Sequence, residues 1–305
     1  MELTTQLKKR FCKDTDLPIN LYHEPYFTER IHLFNDLFNS VEKLETFKKD
    51  LSNFKNEEEY FEYYNKVKDN FINNLKAKKE YEEFLTCNMN KFSVPDYKVG
   101  GKSVFTETNI GKRLISIDLK QANFHAMKFF NRNLVDNKDT YEELIGQFTP
   151  LKHIIKSKYI RQVVFGNCNP KRQVTIEKFM MHFVMEILLK YMDTKHILTY
   201  MSDEIVFEYF DGVDLESIYK ELDQLQKEKG FLLHCEDYVL HKIENTEFYM
   251  KKFVDGSVEF KCVNHLFYPF VARAYKGEEV QENDKVFYYE GYLSKFIEVP
   301  EIKIV

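Results

Sequence analysis

The chain has no tryptophan, and only ten glycines, seven prolines and five cysteines in 305 residues. The cysteines (Cys12, Cys87, Cys168, Cys235 and Cys262) are odd in number, scattered, and never spaced as CxxC. That excludes a disulfide scaffold and a cysteine zinc site, so reduced structural thiols in a cytoplasm-like compartment are expected. The opening MELTTQLKKRFCKD has no apolar core of a signal peptide, and no stretch approaches the 18 apolar residues of a membrane span. Neither a full phosphate-binding GxxxxGK[ST] loop nor a GxSxG elbow is present. His23, His32, His125, His153 and His196 are too dispersed for a metal site, and His182, among Met and Phe, reads as a packed core residue.

What the chain does have is Phe and Tyr, 28 and 20 of them, in a composition 44% hydrophobic and 30% charged. This suits a soluble protein with a Phe-rich core and Tyr at its margins. The net charge of -5 argues against a uniformly basic surface, but its distribution is uneven. Residues 151–178 carry seven basic side chains against Glu177 alone, and residues 98–132 carry seven against Glu107 and Asp118. Positive charge therefore gathers in the middle of the chain.

Apolar spacing predicts two long helices before residue 95, over 27–48 and 56–86. DYKVGGKSVFTETNIGKR (96–113) reads as a hairpin or a flexible basic loop, and ISIDL (115–119) as a buried strand ending at Asp118. Helical patterning returns over 140–163 and 175–192, separated by the turn-rich GNCNPKRQ. HILTYMSDEIVFEYF (196–210) reads as a β-hairpin with a Ser-Asp-Glu tip. A helix capped by Asp214 and stopped by Gly230 follows, then three strands in FLLHCEDYVLHKI, EFYMKKF and SVEFKCV. The expected organisation is a helical region over 1–95, a catalytic core over 96–265 and a β-rich extension over 266–305. No internal repeat is apparent.

Asp118 and Asp203 each sit at a strand end or hairpin tip among residues that would be buried. A buried carboxylate is costly unless a cation or hydrogen bonds compensate it. Two such acids on neighbouring strands favour a divalent cation, and paired Mg²⁺ ions serve phosphoryl-type displacements. Glu204 would add an oxygen. Either acid alone is more simply a solvated turn residue.

The order of elements adds weight. DLKQANF resembles motif A of reverse transcriptases and related palm polymerases, with Ala122 and Phe124 at that motif's small and aromatic positions. YMSDEI resembles motif C, GNCNP with the helix after it motif B, and the segments after Gly230 motifs D and E. Asp118 and Asp203 lie 85 residues apart, and Gly166 lies 37 before Asp203. The resemblance spans roughly residues 95–265. SDEIVFE and DLKQ are also similar to motifs C and A of family A DNA polymerases, and KYIRQVVFG to their fingers helix. The segment between motifs B and C is shorter here than in that family.

The resemblance implies an α+β palm, an antiparallel sheet with helices on one face, beside helical fingers. It implies template-dependent nucleotidyl transfer using Mg²⁺ or Mn²⁺, with RNA or DNA and nucleoside triphosphates as partners, no membrane, and an accessory protein or oligomer admitted. Compact members of this kind often serve in antiviral defence. Carried over residue by residue, Asp118, Asp203 and Glu204 would be catalytic and Asp118, Leu119 and Asp203 would hold metal. Gln121, Ala122, Asn123, Phe124, Lys158, Arg161, Phe165, Gly166 and Asn167 would line the nucleotide. Lys102, Lys112, Arg113, Lys156, Lys171, Arg172 and Lys242 would meet phosphates or template, with His241 a rival of Lys242 as proton donor.

Two departures matter. Motif C reads Asp-Glu where most reverse transcriptases have Asp-Asp, and Asn123 stands where an aromatic often excludes a 2′-hydroxyl. The sugar therefore stays open. A guanylyltransferase-like or cyclase-like palm, and a catalytically dead palm that binds nucleic acid or protein, remain the other classes.

Overall fold

The computed structural model describes residues 2–99, 101 and 103–304. Among these, no helix is long and apolar enough to cross a membrane. The first hundred residues are helical: α1 (Thr5–Thr15), α2 (Tyr26–Leu33), α3 (Asn35–Phe38), α4 (Ser40–Leu51), α5 (Glu57–Lys76) and α6 (Lys79–Thr86). The expected helix over 27–48 is broken into three, because Asn39 turns left-handed (φ 49°) between α3 and α4. The second long helix stops at Ala77 and restarts after Lys78, which is extended. α1 lies outside the two expected helices. Thr4 caps it by accepting from the Leu7 N–H, and Leu7, Phe11 and Cys12 form its buried stripe.

Strand β1 (Arg113–Leu119) opens a mixed unit that continues through α7 (Ala122–Phe130), α8 (Tyr141–Ile145), α9 (Lys152–Ile155), α10 (Lys158–Gly166) and α11 (Pro170–Leu188). The hairpin β2 (Ile197–Tyr200) and β3 (Glu204–Glu208) follows, then α12 (Leu215–Lys229) and β4 (Leu233–Lys242). Helix α12 begins and ends as its sequence predicts: the Asp214 carboxylate accepts from the Ser217 N–H at 3.0 Å, and Gly230 closes it at φ 74°. Strands β5 (Tyr249–Phe253) and β6 (Val258–Lys261) extend the sheet. After them come α13 (Tyr268–Lys276) and a separate ribbon of β7 (Val286–Tyr289) and β8 (Tyr292–Lys295), so the extension over 266–305 mixes helix and strand.

The six-stranded sheet runs β2-β3-β1-β4-β5-β6, antiparallel throughout. Its first four strands, β2-β3-β1-β4, are two interleaved split β-α-β units. Alternation along β1 divides two cores. Ile115, Ile117 and Leu119 join the main cluster beneath the helices, whereas Leu114 joins Val104, Val206, Tyr238, Leu240 and Tyr249 on the other face. The main cluster is continuous from Leu7 on α1 to Ala272 on α13, so the N-terminal helices and the helices under the sheet share one core.

The segment before β1 is an irregular strap, with one short 3-10 turn at Glu107–Asn109. It lies against β2. Gly101 adopts φ 75°, and a Cβ there would meet the Leu198 carbonyl at 2.9 Å, so this close approach requires glycine.

Candidate active site

The face of the sheet opposite the helices carries the acids. Asp118 pairs with Glu204 across β1–β3 and with His234 across β1–β4, and Ser116 pairs with Glu236. Residues directly opposite share a face, so Asp118, Glu204, His234, Ser116 and Glu236 project together. Asp203 occupies the β2–β3 turn, which the Met201 N–H closes by donating to the Glu204 carbonyl at 2.8 Å. The Leu119 N–H donates to the Asp203 carbonyl, also at 2.8 Å, and this pins the hairpin tip beside the end of β1. Asp118 and Asp203 are therefore neighbours by backbone design.

The Asp118 carboxyl is pushed up to about 7. Burial contributes most, followed by the negative charge of Asp203, Glu204 and Glu236, with Lys251 acting the other way. Glu204 is engaged by a hydrogen bond that the Ser116 hydroxyl donates to Oε1 at 2.6 Å. Glu236 is held by Lys251, whose Nζ lies 2.6 Å from Oε2 and 4.6 Å from the centre of the Tyr238 ring. Replacing Lys251 with Met removes a cation that favours ionised Asp118. The Asp118 value then rises above about 7 in metal-free protein, as a ¹³C-carboxyl NMR titration would read; an unchanged value contradicts this electrostatic picture.

A further polar side chain reaches this region from below. Glu177 on α11 is buried and pushed up to about 7, by desolvation first and by Asp203 second. Asn123 Nδ2 donates to its Oε1 at a long 3.3 Å. Neither Glu177 nor the Glu236–Lys251 pair stands out as a site from the motifs. Their signal in the sequence is charge at apolar-stripe positions, since Glu177 falls three, four and seven residues before Met180, Met181 and Val184.

Several expected contacts lie elsewhere. Phe124 and Phe165 are fully buried; Phe124 packs on His125, and Phe165 on Phe71 and Tyr141, so neither presents a ring to a ligand. Gln121 turns away to Glu142 (2.6 Å), and Ala122 is half-buried at the start of α7. Leu119 is buried on the helix side, which leaves only its main chain for a metal. Arg113 makes a two-pronged pair with Asp237 (2.9 and 2.6 Å) and Lys112 pairs with Glu208. Arg113 is five residues from Asp118, about 17 Å along an extended strand.

Lys242 pairs with Glu107 and lies eight residues beyond His234, roughly 26 Å along β4, and His241 faces the other side of that strand. Arg172 donates to the Phe84 and Cys87 carbonyls, fastening α11 to the end of α6. Lys156 and Lys158 line a cleft against α1 and α4, where Lys158 pairs with Asp16. Arg161 sits over the Tyr141 ring. Gly166, Asn167 and Lys171 are exposed around the α10–α11 turn. Lys102 lies outside the described residues.

Among the described residues no three His, Cys, Asp or Glu side chains are grouped as a metal cage. The donor set of Asp118 and Asp203 suits a different kind of site. Mg²⁺ is commonly held by one or two carboxylates with substrate phosphates and water completing the shell. An acid held near 7 by burial first and by its acidic neighbours second is one whose ionised form a cation would favour. Set against known proteins, the chain matches no family model, no curated protein and no solved structure.

Proposed function

We propose that this protein is a palm-type nucleotidyl transferase that extends a nucleic-acid strand from nucleoside triphosphates, in the manner of a compact reverse transcriptase. One observation carries the reading: Asp118 and Asp203 are joined through the Leu119 N–H···O=C Asp203 bond at the end of the central strand, on the sheet face free of helices. The strand order β2-β3-β1-β4 and the chain order of strand, helices, acidic hairpin, helix and strand are those expected of a palm.

In this reading Asp118 and Asp203 hold the divalent cation, Mg²⁺ or Mn²⁺. Such an ion would supply positive charge that favours attack of a strand's 3′-hydroxyl on the α-phosphate, with pyrophosphate as the leaving group. The chain's own residues prepare that position. Ser116 keeps Glu204 turned to the strand, so Glu204 tunes Asp118 by charge. Lys251 offsets Glu236, which limits the accumulated negative field at the same face. Asn123, anchored on Glu177, borders the site at the start of α7, where a sugar would be read.

Incorporation of labelled deoxy- and ribonucleotides, with and without template, tests the reading. The unsubstituted protein incorporates with Mg²⁺ or Mn²⁺, and Asp203→Asn lowers the rate at least about a thousandfold, some 4 kcal/mol of transition-state stabilisation. Equal incorporation by both proteins contradicts it. No incorporation by the unsubstituted protein on any template favours a palm that only binds.

A further inference from the structure

Away from the acid face, α1 presents a cleft of about 430 Å³ lined by Gln6, Lys9, Arg10, Lys13, Tyr22 and Phe61. It has three cations and no carboxylate, in a chain whose net charge is negative. The neighbouring Lys8 is spent on Glu24 at 2.6 Å, whereas Lys9 and Lys13 are exposed and make no ion pair among the described residues. Aromatic rings lie beneath the cations. The Arg10 guanidinium is 4.7 and 4.8 Å from the Tyr64 and Tyr159 ring centres, Lys9 is 5.8 Å from Tyr22, and Lys13 is 5.6 Å from Tyr159. The Arg10 guanidinium donates to the Tyr64 hydroxyl at 3.4 Å, and its Nε–H is buried with no acceptor. A cleft whose charged lining residues are all positive suits an anion.

We propose that this cleft binds single-stranded nucleic acid, its phosphates on Lys9, Arg10 and Lys13 and a base against Tyr22 or Phe61. Lys9 and Lys13 are four residues apart, so their Cα atoms span about 6 Å of helix axis, the run of roughly two consecutive phosphates. Cations tracking a backbone beside stacking rings are the usual composition of a sequence-tolerant single-strand site. α1 packs against α10, so a strand held here lies beside the helix that precedes α11. The proposal rests on the nucleic-acid reading above, but not on transfer at Asp118 and Asp203.

Fluorescence anisotropy tests it, with labelled oligothymidylate and oligouridylate of roughly 12 nucleotides, and a duplex as comparison. The full chain is used without nucleotides. Binding is expected for both single strands, weaker for the duplex, with a log–log salt slope near -2 between about 50 and 200 mM salt. The double substitution Lys9→Ala/Lys13→Ala weakens binding about tenfold or more and flattens the slope by more than about 1. Tyr22→Leu weakens binding with the slope unchanged, which separates stacking from charge. Lys48→Ala/Lys49→Ala on α4, removing equal charge elsewhere, changes affinity less than about twofold.

Equal losses in the two lysine pairs, no loss in the α1 pair, or no binding by the unsubstituted chain would each overturn the proposal. A protein that binds through α1 yet never incorporates a nucleotide counts against the transfer reading alone.

Discussion

In metal-free buffer at about pH 8, Asp118→Asn melts higher than the unsubstituted protein, and with Mg²⁺ supplied it incorporates no nucleotide. The gain in stability follows from linkage. The folded protein holds the Asp118 proton up to about 7, whereas the unfolded chain releases it near the ordinary carboxylate value. Between those values the folded state binds more protons, so stability is present at low pH and is lost as pH rises toward about 7. Asparagine removes the titration and the repulsion from Asp203, Glu204 and Glu236 together.

A shift of three pH units corresponds to about 4 kcal/mol, but Asp118 is only half-buried and solvent screens it, leaving on the order of 1–2 kcal/mol. For a chain of this size that is a rise of roughly 2–8 °C in melting temperature. At about pH 4 the two proteins should melt together. Added Mg²⁺ stabilises the unsubstituted chain and not the variant. A fall in melting temperature at high pH would show that Asp118 is a structural acid whose partners the fold needs.

The second large effect concerns the C-terminal segment. Arg30 on α2 is buried and donates to Asp284 Oδ1 at 2.8 Å and to the carbonyls of Asn283 and Asp284 at 2.9 and 3.0 Å. Asp284 also accepts from Arg273 Nε and from the Gln281 N–H, both at 2.8 Å. Arg30→Ala strands the carbonyls of Asn283, Asp284 and Val286 and half of a buried carboxylate, at a cost of about 3 kcal/mol, the low end for a broken buried pair because Arg273 remains. A drop of roughly 6–12 °C in melting temperature is expected. New proteolytic cleavage should appear within residues 278–286, where the lost anchors lie. A change under about 2 °C with no new cleavage would mean that this segment is held by its apolar contacts alone.

The elements that sequence reads well are those whose period and caps agree. β1, the β2–β3 hairpin, α12 with Asp214 and Gly230 at its ends, and the three strands after it all lie where patterning puts them, because one face of each is buried. The helices of the first hundred residues are less legible. Apolar spacing continues through Asn39 and Ala77, and only the left-handed turn at Asn39 and the extended Lys78 reveal the breaks.

At the site, Asp118 and Asp203 were readable as strand-end acids, and their adjacency follows from antiparallel pairing. The basic residues were not. Lys112, Arg113, Lys242 and Lys158 have partners contributed by β3, β4, the strap and α1, and a one-dimensional charge count holds no trace of them. Phe124 and Phe165 show the same limit, since a motif position fixes spacing but not which face the core claims.

The central claim is that Asp118 and Asp203 jointly hold a divalent cation. Titrating the protein with Mn²⁺ in the presence of a nucleoside triphosphate, and reading free Mn²⁺ by electron paramagnetic resonance, tests it most directly. The account predicts saturable binding by the unsubstituted chain that is lost in Asp118→Asn and in Asp203→Asn, and retained in Lys242→Ala. Equal Mn²⁺ binding by all four proteins would contradict it.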